Sequence, residues 1–303
     1  LNSSRDRRFF AAMKLFAFGL GYTARRVLAR LPGVDASGAT RDPETARAWR
    51  RDGVAAWAVD DRSAQPALEA ALRGADALLV SAPPDENGDP ALQRFAAAIV
   101  AAPALTRVVY LSSVGVYGDR GGAWVDEASA PTPGSPRARR RLAAEGDWRA
   151  FGEERGVAVD ALRLAGVYGP GRNALERLRS GQARRIVKPG QVFNRIHVDD
   201  VAAVAVRLIE VGGPGGLWNV ADEEPAPPQD VIVFAAELLG VAPPPEEDFA
   251  TARLTPMAAS FYDDNRRVDV GKLRRELSYR WLYPTYRDGL RALAAAGEGR
   301  ATT

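Results

Sequence analysis

The residues whose types and spacing most clearly imply chemistry are Gly19, Gly21 and Ala24, in the run Lys14-Leu15-Phe16-Ala17-Phe18-Gly19-Leu20-Gly21-Tyr22-Thr23-Ala24. A short apolar segment ends at the first glycine, and a helical pattern opens after the second. A dinucleotide pyrophosphate needs that context. Gly19 permits a sharp turn, Gly21 removes a Cβ where phosphates must approach the backbone, and small Ala24 lets helix and strand pack closely. Leu20, Tyr22 and Thr23 complete a loop whose backbone N–H groups face the phosphates. The next apolar stretch ends in Thr40-Arg41, without the acidic residue that would hold a ribose 2'-hydroxyl. Arg41 on a 2'-phosphate makes the expected cofactor NADP(H) rather than NAD(H); the competing role for Arg41 is a solvated cap on a helix over 43–51.

These residues require a scaffold that brings strand ends together. Strands are predicted over 34–40, 55–59, 74–84, the last running into a proline-stiffened loop, and 107–118, alternating with helical stretches such as 43–51 and 90–101. That alternation predicts an α/β fold, a Rossmann-type doubly wound parallel sheet with helices on both faces. Ligands in such sheets sit beyond the carboxyl ends of the strands. Asp60 is thereby placed at the adenine edge, and Ser81, Ala82 and Pro83 in a stiffened loop beside the cofactor.

Composition narrows the chemistry further. The 41 basic and 38 acidic residues are interspersed and sum to only +3, so no nucleic-acid partner is implied. The chain has no cysteine and a single histidine, His197, which excludes thiolate chemistry and a histidine-rich metal site. No run reaches the ~18 apolar residues of a membrane span, and the expected location is the cytoplasm. Leu1–Ala12 is basic but too short in its apolar part for a signal peptide, and reads as a disordered leader.

Further segments carry a specific resemblance. Leu111-Ser112-Ser113-Val114-Gly115-Val116-Tyr117-Gly118, Leu162-Arg163-Leu164-Ala165-Gly166-Val167-Tyr168-Gly169-Pro170 and Arg195-Ile196-His197-Val198-Asp199-Asp200 follow the opening glycines. In order and spacing they resemble the extended short-chain dehydrogenase/reductase superfamily, of the NAD-dependent epimerase/dehydratase type. The resemblance implies a Rossmann domain over 13–171 with 191–221 returning to it, and a smaller substrate lobe from 172–190 and 222–303. It also implies cofactor contacts from Ser112, Leu164, Ala165 and Val167, and the expectation of a homodimer. Ser113 matches the serine that polarises a substrate oxygen.

The resemblance breaks at the proton relay. Matching the Ser135-Pro136 lead and the trailing Glu145 puts Arg137 and Arg141 where the family has tyrosine and lysine, and none of the eight tyrosines is followed by lysine four residues on. Guanidinium does not release a proton near neutrality, its pKa lying above about 12. Arg141 is therefore expected to steady the ribose and Arg137 to face an anionic substrate group, a solvated basic helix face being the plainer role for both. Proton transfer falls to Tyr168, if a nearby arginine depresses its pKa, or to water. Nucleotide-sugar enzymes of the family hold the diphosphate with an arginine at the position of Phe193; here the arginine is Arg195. The resulting expectation is oxidoreduction, or epimerase/dehydratase chemistry begun by hydride transfer, on a small carbonyl or alcohol. The alternatives are a non-catalytic NADP(H) sensor and a nucleotide-sugar epimerase.

Overall fold

The structure is a computed structural model that describes residues 13–299; the leader expected over 1–12 lies outside the described residues. The strands are β1 Lys14–Phe18, β2 Asp35–Thr40, β3 Ala55–Ala58, β4 Ala77–Val80, β5 Arg107–Ser113, β6 Trp124–Val125, β7 Ala158–Leu164, β8 Gly166–Tyr168, β9 Arg185–Val187, β10 Arg195–His197, β11 Gly215–Val220, β12 Glu246–Asp248 and β13 Arg267–Val268. Seven form one sheet in the order β11-β7-β5-β4-β1-β2-β3. The registers of β3, β2, β1, β4 and β5 are parallel throughout, with Phe16 opposite both Ser37 and Leu78.

Period-2 side-chain alternation explains the core. Phe16 and Phe18, Leu78 and Val80, and Val108 and Tyr110 share one apolar cluster with Leu68, Leu72, Phe95, Ile99 and Trp148 from the covering helices. Leu15, Ala17 and Leu79 are equally buried. Both sheet faces are thus covered, which is why these strands read as continuous apolar runs. Each large side chain so buried contributes about 1.5–3 kcal/mol.

The chain divides into two compact units. The first comprises Leu1–Ser113, Pro136–Arg163 and Val201–Trp218, and the second Val114–Ser135, Leu164–Asp200 and Asn219–Thr303. Segments 114–135, 164–171, 191–200 and 219–221, expected in the nucleotide-binding body, fall in the second unit. The cause is local: the chain leaves β5 at Ser113 into a 3₁₀ turn over Val114–Tyr117. It is then tied to later segments by the parallel pairs β13–β6 and β10–β8.

The second unit has its own core of Tyr168, Leu175, Val231, Phe234, Tyr286, Leu290 and Leu293. Buried Asp200 accepts from Tyr279 Oη at 2.7 Å and from the backbone N–H groups of Leu282 and Tyr283, which pins the approach to the final helix, Tyr286–Ala295. Glu246–Asp248 reads in sequence as an acidic surface loop; it is instead strand β12 paired with β9, because Glu246 and Glu247 meet Arg185 and Arg184. Among the described residues no helix is long and apolar enough to cross a membrane, and no group of three or more His, Cys, Asp or Glu could hold a metal.

Candidate functional site

The glycine turn is built by three strand ends. Gly19 has φ +86°, a left-handed conformation that favours glycine, and its N–H donates to Ala39 O at the end of β2 (2.8 Å). Ser81 Oγ donates to Gly19 O at 2.6 Å, and the N–H groups of Ser81 and Ala82 both donate to Phe18 O. A Cβ at residue 19 would stand 2.7 Å from Ala82 N. Gly38 allows the same closeness on the other side, since its Cβ would fall 2.5 Å from Ala17 O. Trp49 Nε1 donates to Leu20 O at 2.9 Å from the helix after β2. The turn is therefore held on both flanks before any ligand arrives.

Gly21 differs from Gly19. A Cβ there would meet nothing within 4 Å among the described residues, so no contact with them accounts for glycine. It is the N-cap of the Tyr22–Leu28 helix, and among the described residues no side chain caps that helix. Buried Ala24 packs the helix onto the sheet. A glycine at the start of a helix that follows a strand is what a dinucleotide pyrophosphate requires, and these residues fit that group.

Thr40 is half-buried at the end of β2, and Arg41 is exposed immediately beyond it. Asp42 caps the Pro43–Arg51 helix, accepting from the N–H groups of Glu44 and Thr45. The hydrogen bond from the Thr45 hydroxyl, and then those from the two N–H groups, hold its carboxyl below the ordinary range. The capping role considered for Arg41 is thus filled by its neighbour. Asp60 is exposed and ion-paired with Arg94 at 2.7 Å.

Ser113 closes β5, half-buried, and Arg137 is exposed in the first turn of the Pro136–Arg155 helix. One turn later Arg141 lies down on the strand: its Nη1 donates to Leu111 O at 2.8 Å and to Tyr110 Oη at 3.2 Å, with the guanidinium 5.5 Å from the Tyr110 ring centroid. It is not a solvated side chain. Beneath it runs a polar cluster that the sequence did not announce. Glu145 accepts from Ser112 Oγ and from Arg163, whose Nη2 stands 2.8 Å away, and all three residues are buried. Four residues after Arg141 on the same helix, Glu145 turns inward; an acidic residue amid a basic face was the available signal.

Tyr168 corrects the expectation of a titrating phenol. Its hydroxyl is buried with no hydrogen-bond partner among the described residues, and lies where a Cβ on Gly289 would stand, 2.0 Å away. Burial raises its pKa, and the nearby carboxylates of Asp222 and Asp200 raise it further, against a smaller lowering by Arg195. That direction is opposite to what proton transfer needs. Leu164 and Ala165 are buried beside it in the chain, Ala165 N donating to Val220 O at 3.0 Å, and Val167 is half-buried. Of the residues singled out from sequence, the structure brings together Gly19, Leu20, Gly21, Ala24, Ser81 and Ala82.

Residues 21–221 match the model of the NAD dependent epimerase/dehydratase family. A solved structure of a functionally unknown conserved protein from Silicibacter pomeroyi is 45% identical, covers 94% of this chain and 99% of its own, and superposes with a TM-score of 0.84. Protein YeeZ of Escherichia coli K12 is 28% identical over 224 residues, 71% of this chain and 74% of that protein. A 3-diazoavenalumate denitrifying reductase from Streptomyces is 29% identical over 140 residues, 43% of this chain and 45% of that protein.

Proposed function

This chain belongs to the NAD-dependent epimerase/dehydratase family, and from that premise we propose that it is an NADP(H)-preferring oxidoreductase of atypical mechanism, acting on a small carbonyl or alcohol compound. The observation that carries the reading is Gly21: a glycine with open space where its Cβ would be, at the uncapped start of a helix, in a turn braced by Ser81 and Trp49. Preference for the phosphorylated cofactor rests on exposed Arg41, relieved of capping by Asp42.

When bound, a nicotinamide dinucleotide supplies hydride transfer. The chain supplies position and charge. Ser113 Oγ polarises the substrate oxygen. Arg141 keeps Nη1 on the strand and directs its remaining nitrogens to the ribose, replacing the charge of the family's lysine but not its proton exchange. Arg137 meets an anionic part of the substrate. The proton comes from water, since the Tyr168 phenol is buried and its pKa raised. The similarity to a reductase supports oxidoreduction over epimerisation.

Calorimetric titration with NADPH and NADH, followed by NADPH oxidation across an aldehyde and ketone panel, tests this reading. Tighter binding of NADPH and turnover that falls on Ser113→Ala are the expected results. Tight NADPH binding without turnover on any carbonyl leaves the sensor reading in its place. Thermal protection by uridine diphosphate sugars would instead favour the nucleotide-sugar epimerase.

A further inference from the structure

The Leu20–Gly21 peptide stands in the middle of the glycine turn, and its plane decides which group the turn offers to a ligand. A glycine accepts either sign of φ at little cost, so a peptide unit followed by glycine turns over readily unless something outside the turn holds it. Here the hold is one side chain. Leu20 O accepts a single hydrogen bond among the described residues, from Trp49 Nε1 at 2.9 Å, and Gly21 N–H makes none among them. The described residues contain no cis peptide bond, and in a planar trans peptide the C=O and N–H point in opposite directions. With its carbonyl tied to Trp49, this unit aims the Gly21 N–H away from the Pro43–Arg51 helix.

Both ends of that hydrogen bond are fixed. Trp49 is 3% exposed, the Arg25 guanidinium lies 4.6 Å from its ring centroid, and Arg25 is in turn paired with Asp52 just past the helix. The indole therefore has no room to swing away from Leu20. The Leu20 side chain is equally buried and fills the space over Gly38, where a Cβ would stand 2.7 Å from its Cδ2. A seated side chain and a tied carbonyl orient the adjoining N–H before any ligand arrives, which removes the ordering cost from binding. An oriented N–H without a partner suits an anionic oxygen, and a dinucleotide pyrophosphate brings such oxygens to a glycine turn of this kind.

We propose that Trp49 is a positioning residue for the cofactor: its indole N–H fixes the plane of the Leu20–Gly21 peptide so that the Gly21 N–H meets the pyrophosphate. This deepens the functional reading above, and rests on its cofactor alone, not on its substrate or its proton source.

The test is calorimetric titration of the full chain and of Trp49→Phe with NADPH and with NADH, beside a thermal melt of each protein. Phenylalanine keeps a ring and removes the N–H. Both nucleotides should bind the variant more weakly by the same factor, roughly ten- to a hundredfold, the range of one lost charge-assisted hydrogen bond. The ratio of the two affinities should stay at the parent's value, because the pyrophosphate is common to both; a general loosening of the Pro43–Arg51 helix, which follows Arg41, would shift that ratio instead. If Trp49→Phe does not fold, benzothienylalanine introduced at residue 49 decides, since sulfur replaces the N–H in a ring system of equal size. Undiminished affinity for both nucleotides once the N–H is gone, or a changed ratio, would overturn the proposal while the parent's binding keeps the cofactor reading intact. If the parent binds neither nucleotide, the cofactor reading falls and takes this inference with it.

Discussion

Replacing Glu145 by leucine should be among the most destabilising single changes in the first unit. Glu145 and Arg163 expose 8% and 5% of their side chains, and their carboxylate and guanidinium meet through Nη2 at 2.8 Å and Nε at 3.2 and 3.3 Å. Removing the carboxylate strands a buried cation and takes the acceptor from Ser112 Oγ. Breaking a buried pair from one side costs about 3–5 kcal/mol. With a melting shift of about 2–4 °C per kcal/mol at this unit's size, the loss is roughly 6–20 °C. The comparison that isolates the pair is a double-mutant cycle with Arg163→Met, followed by urea unfolding and thermal melts. Because the double variant Glu145→Leu/Arg163→Met buries no lone charge, it should recover a large part of the loss. A Glu145→Leu melt within a degree or two of the parent, or strictly additive costs in the double variant, would refute the reasoning.

Four other predictions separate roles that look alike in sequence. Gly19→Ala should destabilise the fold by about 1–3 kcal/mol, the cost of a strained left-handed residue, and should weaken NADPH binding with it. Gly21→Ala should leave the melting temperature within the effect of an ordinary surface change while weakening NADPH binding by itself, read by calorimetry beside the melt. Tyr168→Phe removes a buried hydroxyl with no partner among the described residues, so stability should hold or rise and NADPH-dependent turnover should persist; a collapse of turnover with unchanged NADPH affinity would return the phenol to the reaction. The Asp222 carboxyl has its pKa raised in the folded state by burial, so folding takes up a proton between the ordinary carboxyl range and the raised value. Stability should therefore fall as pH rises through that window, and Asp222→Asn should flatten the dependence, as urea titrations at several pH values would show.

Sequence by itself determined the sheet and the glycine turn after β1. Alternation of buried strands with helices is a local pattern, and so is a glycine pair between a strand and a helix; both act over a few residues, where spacing translates directly into geometry. The absence of a Tyr-x-x-x-Lys pair was equally a property of the sequence. What tertiary structure decided is how each polar side chain was used. That Gly19 answers to Ala82 and Gly21 to open space depends on β4, some 60 residues away. Asp42 rather than Arg41 caps the helix, Arg141 lies on β5, and Glu145 turns inward to Ser112 and Arg163. Tyr168 and Arg195 sit on paired strands, yet one is sealed in an apolar core and the other donates to the carbonyls of Phe193 and Ala226. Burial and the nearest charge set what a phenol or guanidinium can do, and both come from residues brought together only when the chain has folded.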